Sequence, residues 1–290
     1  MTKQELLERL KKRPLILDGA TGSNLMKAGM PKGICTEKWI TEHPEALTKL
    51  QQAYVEAGSD IIYAPTFMAN RVSLGEHKLA DETETLNKTL VGLSKQAAGG
   101  QALIAGDLTT TGKLLEPLGP MSYEVLYDAY REQITCLAES GVDLLVAETM
   151  LATNETMVIL DAAASVCELP VFCTLTIEAD GSLFFGGNIY DAVEELEAMG
   201  AAAVGCNCST GPDQLEAVIS GIRSRVSIPV IAKPNAGMPT ISATGEAEYH
   251  MGPEEFARHM KTLRQAGASI LGGCCGTTPE FIRELKKTLF

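Results

Sequence analysis

The stretch "ESGVDLLVAET", Glu139 to Thr149, decides the fold. A helical pattern stops at Gly141, the residue type that most readily closes a helix. An almost continuous apolar run follows at once and ends on the acid Glu148. The same join of helix end, glycine and strand start recurs in "EAGSD" (56–60), "AMGAA" (198–202) and "QAGAS" (265–269). Eight short apolar runs can be read along the chain: "LILDGA" (15–20), "DIIYAPT" (60–66), "ALIAGDL" (102–108), "DLLVAET" (143–149), "VFCTLTI" (171–177), "AAVGCNC" (202–208), "PVIAKPN" (229–235) and "SILGGCC" (269–275). Each is followed by a helical stretch. "HPEAL" (43–47), "GPDQL" (211–215), "GPEEF" (252–256) and "TPEFI" (278–282) place proline where a first helical turn accepts it. Eight βα units predict an α/β fold, a (β/α)8 TIM barrel. Strands that are apolar throughout fit a parallel sheet covered on both faces. An open doubly wound sheet is the competing arrangement, but no GxGxxG follows the first run. No linker divides the chain, so residues 1–290 are expected to form a single barrel domain. "GMPTISATGEAEYHMG" (237–252) reads as a long loop or small hairpin.

Composition narrows the class. The chain has 290 residues, 45% of them apolar, and a net charge of −13. That charge argues against nucleic acid or an anionic membrane as partner. No apolar run reaches membrane-spanning length, and "MTKQELLERLKKRP" (1–14) is a charged helical pattern without the apolar core of a signal peptide. A soluble, cytoplasmic protein is expected. Eight cysteines in such a chain do not suggest a disulfide scaffold. Cys136, Cys167 and Cys173 sit in apolar runs and read as small core residues. Cys35 lies in a loop.

A barrel of this kind carries its site at the carboxyl ends of its strands. The polar residues there are Asp18, Thr66, Asp107, Glu148, Cys206, Cys208, Asn235, Cys274 and Cys275. Adjacent side chains of a strand point to opposite faces. For Cys274 and Cys275 to meet one atom, the strand must have stopped and the chain must turn. Gly272, Gly273 and Gly276 permit that turn. A third thiol comes from the sixth run, as Cys206 or Cys208. Three thiolates without a histidine at any strand end suit Zn2+ with one open position, the arrangement of a catalytic zinc. The bland reading, small residues in a tight turn, loses ground to the third cysteine. A redox dithiol reading lacks a CxxC motif.

At these residues the sequence resembles the homocysteine S-methyltransferases. The resemblance spans nearly the whole chain through "LDGATGSNL" (17–25), "PTFMANRVSL" (65–74), "ETM" (148–150), "GCNCS" (205–209), "KPNAGMP" (233–239) and "GGCCGTTPE" (272–280). It implies a (β/α)8 barrel and zinc held by Cys208, Cys274 and Cys275, which also serve as the catalytic centre. Within the family, "PNAGMP" looks most like the homocysteine-binding module of cobalamin-dependent methionine synthase. The chain departs from the family at Pro65, where asparagine is usual, and in "TIEADGSLFFGG" (176–187). The DxHxxG cobalamin signature is absent.

The expected reaction is zinc-dependent methyl transfer to the thiol of homocysteine, giving methionine. Zinc removes the thiol proton and leaves a reactive sulfur. Asp18 and Glu148 are expected to bind the substrate ammonium, an assignment the resemblance shares. Amides around Gly19, Ala20, Thr21 and Asn235 to Gly237 are expected to meet its carboxylate. Asp107 and Thr66 are weaker members of the set. The preferred donor is methylcobalamin, or another methylcorrinoid, carried by a partner protein. Betaine, held in an aromatic cage drawn from Trp39 and Tyr63, and S-methylmethionine are the competing donors. A non-catalytic homocysteine-binding module of a larger synthase is the competing role.

Overall fold

The computed structural model describes residues 1–117, 119–242 and 247–290. Eight parallel strands form its centre: β1 Leu15–Ile16, β2 Ile61–Tyr63, β3 Leu103–Leu108, β4 Leu144–Met150, β5 Val171–Leu175, β6 Ala203–Cys208, β7 Val230–Pro234 and β10 Ala268–Leu271. Their order is β1-β10-β7-β6-β5-β4-β3-β2. A parallel bridge from Leu17 to Ile61 joins the two ends of that order, so the ring closes. The expected (β/α)8 barrel is present.

Glycine makes the joins the sequence suggested. Gly58, Gly141, Gly200 and Gly267 all have positive φ, between +71° and +122°. Each turns a finished helix into the next strand without the penalty a Cβ would bring. Helices Pro44–Ala57, Pro253–Ala266 and Pro279–Leu289 start on proline as read. "GPDQL" behaves differently. Pro212 opens a 3₁₀ turn, Pro212–Gln214, and the α-helix begins only at Glu216. The stretch after β7 contains a small antiparallel hairpin of β8 Thr240–Ile241 and β9 Ala247–Glu248. Residues 243–246 of that stretch lie outside the described residues.

Period-two alternation divides the strands into two packed layers. Leu15, Leu17, Ile61, Tyr63, Ala105, Leu144, Val146, Phe172, Ala203, Ile231 and Ile270 cluster together inside the barrel, with Leu6 of helix Lys3–Lys12. Their neighbours Ile16, Ile62, Ile104, Leu145, Cys173, Val204, Val230 and Leu271 pack outward against the helices. The interior is therefore a filled core and no pore. Cys136 and Cys173 are buried as expected, while Cys167 is only half-buried at the end of its helix.

Close strand packing fixes two glycines in opposite ways. A Cβ on Gly205 would lie 2.0 Å from the Ile231 carbonyl oxygen, whereas one on Gly92, within helix Thr83–Ala98, would meet nothing within 4 Å. Gly205→Ala is expected to lower folding stability by about 2–4 kcal/mol through overpacking. Gly92→Ala is expected to raise it by about 0.5–1 kcal/mol. Urea denaturation of both variants checks the pair.

Candidate functional site

The inward parity that builds the core also builds the site. Two residues beyond the apolar layer it delivers Asp107 after Ala105, Glu148 after Val146 and Lys233 after Ile231. Asp18 joins them just after the last paired residue of the first strand. All four are buried. Lys233 Nζ lies 3.0 Å from Glu148 Oε1 and 3.7 Å from Asp18 Oδ1, and 4.8 Å from the centroid of the Tyr63 ring. Asp18 Oδ2 accepts a 2.8 Å bond from the Tyr63 amide.

Three acids share one lysine. Burial pushes the Asp18 carboxyl up to about 7, against the pull of Lys233 and the Tyr63 amide. Burial, then the Glu148 charge, raises Asp107 well above the carboxylate range. Burial also raises Glu148. Desolvation works to lower Lys233, but Glu148 and Asp18 override it and hold the ammonium well above the usual lysine range. Asp18 Oδ1, Asp107 Oδ1, Asn235 Oδ1 and the Tyr63 hydroxyl are buried without a hydrogen-bond partner among the described residues. Unsatisfied buried acceptors on this scale are rare in a finished core.

The thiols converge beside this cluster. β10 ends at Leu271, before the cysteine pair, as the turn requires. A Cβ on Gly272 would lie 2.6 Å from Leu17 Cβ, so only glycine lets the chain pass. Gly276 then turns with φ +82°. Backbone bonds pin the turn: Gly273 N–H to Asp18 O at 3.0 Å, Cys274 N–H to Pro234 O at 2.7 Å, and Ala236 N–H to Cys275 O at 2.9 Å. On β6, Cys206 keeps outward parity and is buried in the sheet–helix layer. Cys208 adopts φ +58°, which breaks the alternation. Its sulfur lies 3.7 Å from that of Cys275. The sulfurs of Cys208, Cys274 and Cys275 all lie within 4.8 Å of one another. Hydrogen bonds from Cys208, Cys274 and Tyr249 pull Cys275 down to about 3, despite its burial. The bonds to Cys274 and Cys275 push Cys208 upward.

Other expected residues take structural places. Thr66 Oγ1 donates to Asp107 O at 2.8 Å and accepts from Asp107 N at 3.1 Å, tying the chain after β2 to β3. The Ala20 amide donates to Thr277 Oγ1 at 3.1 Å. A Cβ on Gly19 would strike Thr277 and Tyr54. The amides of Asn235, Ala236 and Gly237 donate to Thr210 O, Cys275 O and Asn235 O. Ala20 and Asn235 to Gly237 therefore spend their amides inside the chain rather than on a carboxylate. Trp39 stacks on His43, with ring centroids 4.4 Å apart, in a core cluster with Leu25 and Ile40. The reading of strand ends missed Lys233. Its signal was a lysine at inward parity in "PVIAKPN", two residues after Ile231 and directly after an apolar run.

Closed barrel, buried charges and converging thiols at the carboxyl ends define a TIM barrel with a single polar mouth. The sequence pattern of the homocysteine S-methyltransferase family matches residues 15–289, and the chain belongs to that family. It is 31% identical over 305 residues to a methionine synthase of Mycobacterium leprae (strain TN), covering 97% of this chain and 25% of that protein. A methionine synthase of Mycobacterium tuberculosis is likewise 31% identical over 299 residues. The chain thus spans about a quarter of the length of these relatives. Among solved structures, the metallated form of the homocysteine methyltransferase MmuM from Escherichia coli shares the fold, with a TM-score of 0.80, 22% identity and 98% of both chains covered. No helix among the described residues is long and apolar enough to cross a membrane.

The raised Asp18 carboxyl sets a pH dependence. An unfolded aspartate titrates near about 3.9, and the folded one at about 7. The folded chain therefore holds the extra proton between these values, and stability falls as pH rises through that window. Asp18→Asn is expected to flatten this part of the curve, read from urea midpoints of metal-free protein between about pH 4 and pH 7.

Proposed function

We propose that this chain transfers a methyl group to the thiol of homocysteine to give methionine, with zinc held by Cys208, Cys274 and Cys275. The observation that carries this reading is the meeting, in one mouth, of three thiols and a buried acid cluster with unpaired oxygens. The sulfurs fit the metal. Two sulfurs at tetrahedral positions about 2.3 Å from zinc stand roughly 3.8 Å apart, and Cys208 and Cys275 stand 3.7 Å apart. Three soft thiolates also match zinc in ligand type. When bound there, zinc supplies the Lewis acidity that keeps a substrate thiol deprotonated at neutral pH.

The chain's own residues then account for the rest. Of the three carboxyl groups of Asp18, Asp107 and Glu148, burial and the Glu148 charge favour the neutral form of Asp107, and the other two against Lys233 leave room for the charge of one substrate ammonium. Fixing that ammonium directs the short side chain of homocysteine toward the sulfurs. Burial keeps water from competing for the same oxygens. Met68, Phe184, Phe185 and Met238 stand exposed on the segments that follow β2, β5 and β7. They are apolar contacts suited to a protein that brings the methyl group on a corrinoid. Betaine fits less well, because Trp39 is packed on His43 and Tyr63 faces Lys233.

The test begins with reduced, zinc-loaded chain and homocysteine, and methionine is measured by mass spectrometry. Methylcobalamin, S-methylmethionine and betaine are supplied in turn. Methionine formed with methylcobalamin is expected. Turnover with betaine or S-methylmethionine alone would reassign the donor. Homocysteine binding without turnover on any donor would make the chain a binding module. Cys208→Ala is expected to abolish stoichiometric zinc and methyl transfer while the barrel still folds. Cys206→Ala is expected to keep both, and metal analysis of the two variants separates the assignments.

A further inference from the structure

Thr149 has a φ of +55°. A β-branched residue in the left-handed region is a genuine outlier that its surroundings must hold in place. Thr149 directly follows Glu148, so whatever holds Thr149 fixes the peptide by which the chain leaves Glu148. What holds it is Asn207. Asn207 Oδ1 accepts from the Thr149 amide at 2.8 Å, and Asn207 Nδ2 donates to Thr149 Oγ1 at 2.7 Å. Asn207 is buried, and its own carbonyl accepts from Thr176 Oγ1 at 3.1 Å and Ser209 Oγ at 3.1 Å. The same Nδ2 lies 3.8 Å from the Cys274 sulfur and can donate toward it. Cys208 and Ser209, the two residues after Asn207, are also left-handed, at +58° and +60°. Ser209 is held in turn by the Ile177 amide, which donates to its Oγ at 2.8 Å.

We propose that Asn207 is a positioning residue that clamps the acid of β4 to the thiols of β6 and β10. One amide fixes the backbone after Glu148 and presents an N–H to Cys274. A single side chain therefore links the backbone beside the ammonium site to the sulfur site, in addition to the backbone bonds that pin the cysteine turn. The inference rests on the proposed function for its metal readout, and on the strained backbone alone for its stability readout.

Two measurements on the full reduced chain decide it. The first is a double-mutant cycle in metal-free protein with Asn207→Ala and Thr149→Gly. Glycine accepts a positive φ without strain, so Asn207→Ala is expected to change the unfolding constant less in the Thr149→Gly background, by on the order of fivefold. The second is cobalt(II) binding, followed by its sulfur-to-metal charge-transfer band and by chelator competition. Asn207→Ala is expected to weaken cobalt by about tenfold or more and to shift the band, and Thr149→Gly is not expected to restore either. Additive stabilities together with unchanged cobalt affinity would overturn the clamp. If the unsubstituted chain binds no cobalt, the three-thiol metal reading fails by itself. The stability cycle then decides alone: coupling keeps the backbone clamp, and additivity removes it.

Discussion

The closed ring of parallel strands is the constraint from which the rest follows. With Leu17 bridged to Ile61, the sheet has no edge, and every strand residue faces either the barrel interior or the surrounding helices. Leucine, isoleucine, valine and phenylalanine fill both faces for most of each strand's length. Polar chemistry can then occur only where the strands run out. The site is not inserted into the barrel. It is what the inward face becomes one residue pair beyond the apolar layer, at Asp107, Glu148 and Lys233.

Side chains stitch this end of the barrel where the ladder of strand bonds stops. The Asp18 carboxylate takes the Tyr63 amide, Thr66 and Asp107 exchange two bonds, and Thr109 Oγ1 donates to Glu148 O. Thr176 reaches Asn207 O, and Asn235 Nδ2 reaches Ser209 O. Gly273 returns to Asp18. Hydroxyls and amides thus run from strand to strand around the mouth. That collar explains how several residues near the site tolerate left-handed backbone. Strain of this kind persists only where neighbours over-determine it.

The strand–glycine–helix rhythm made the barrel legible, because glycine joins and unbroken apolar runs are local features. The acids and the cysteine pair were legible too, since they end apolar runs. Choosing Cys208 over Cys206 was not. Strict alternation puts both on the outer face, and only a left-handed turn at Cys208 redirects its sulfur, a tertiary effect with no residue signature. Lys233 escaped for the opposite reason. It continues the inward parity faultlessly, but a lysine in a buried strand becomes readable only when three acids from β1, β3 and β4 are known to face it. The amides of Ala20 and of Asn235 to Gly237 looked available in a glycine-rich sequence, and internal partners that close the fold have taken most of them.

At the opposite end, helix Lys3–Lys12 lies across the barrel, and Leu6 packs with Leu15 and the other interior residues. The capping box of Thr2 and Glu5 secures its first turn. With that helix packed on one end and the middle filled, the buried acids and the thiols of the described residues gather at the other end. The architecture therefore stacks its chemistry in depth, with charge at the bottom of this end and apolar side chains such as Phe184 and Met238 at its rim.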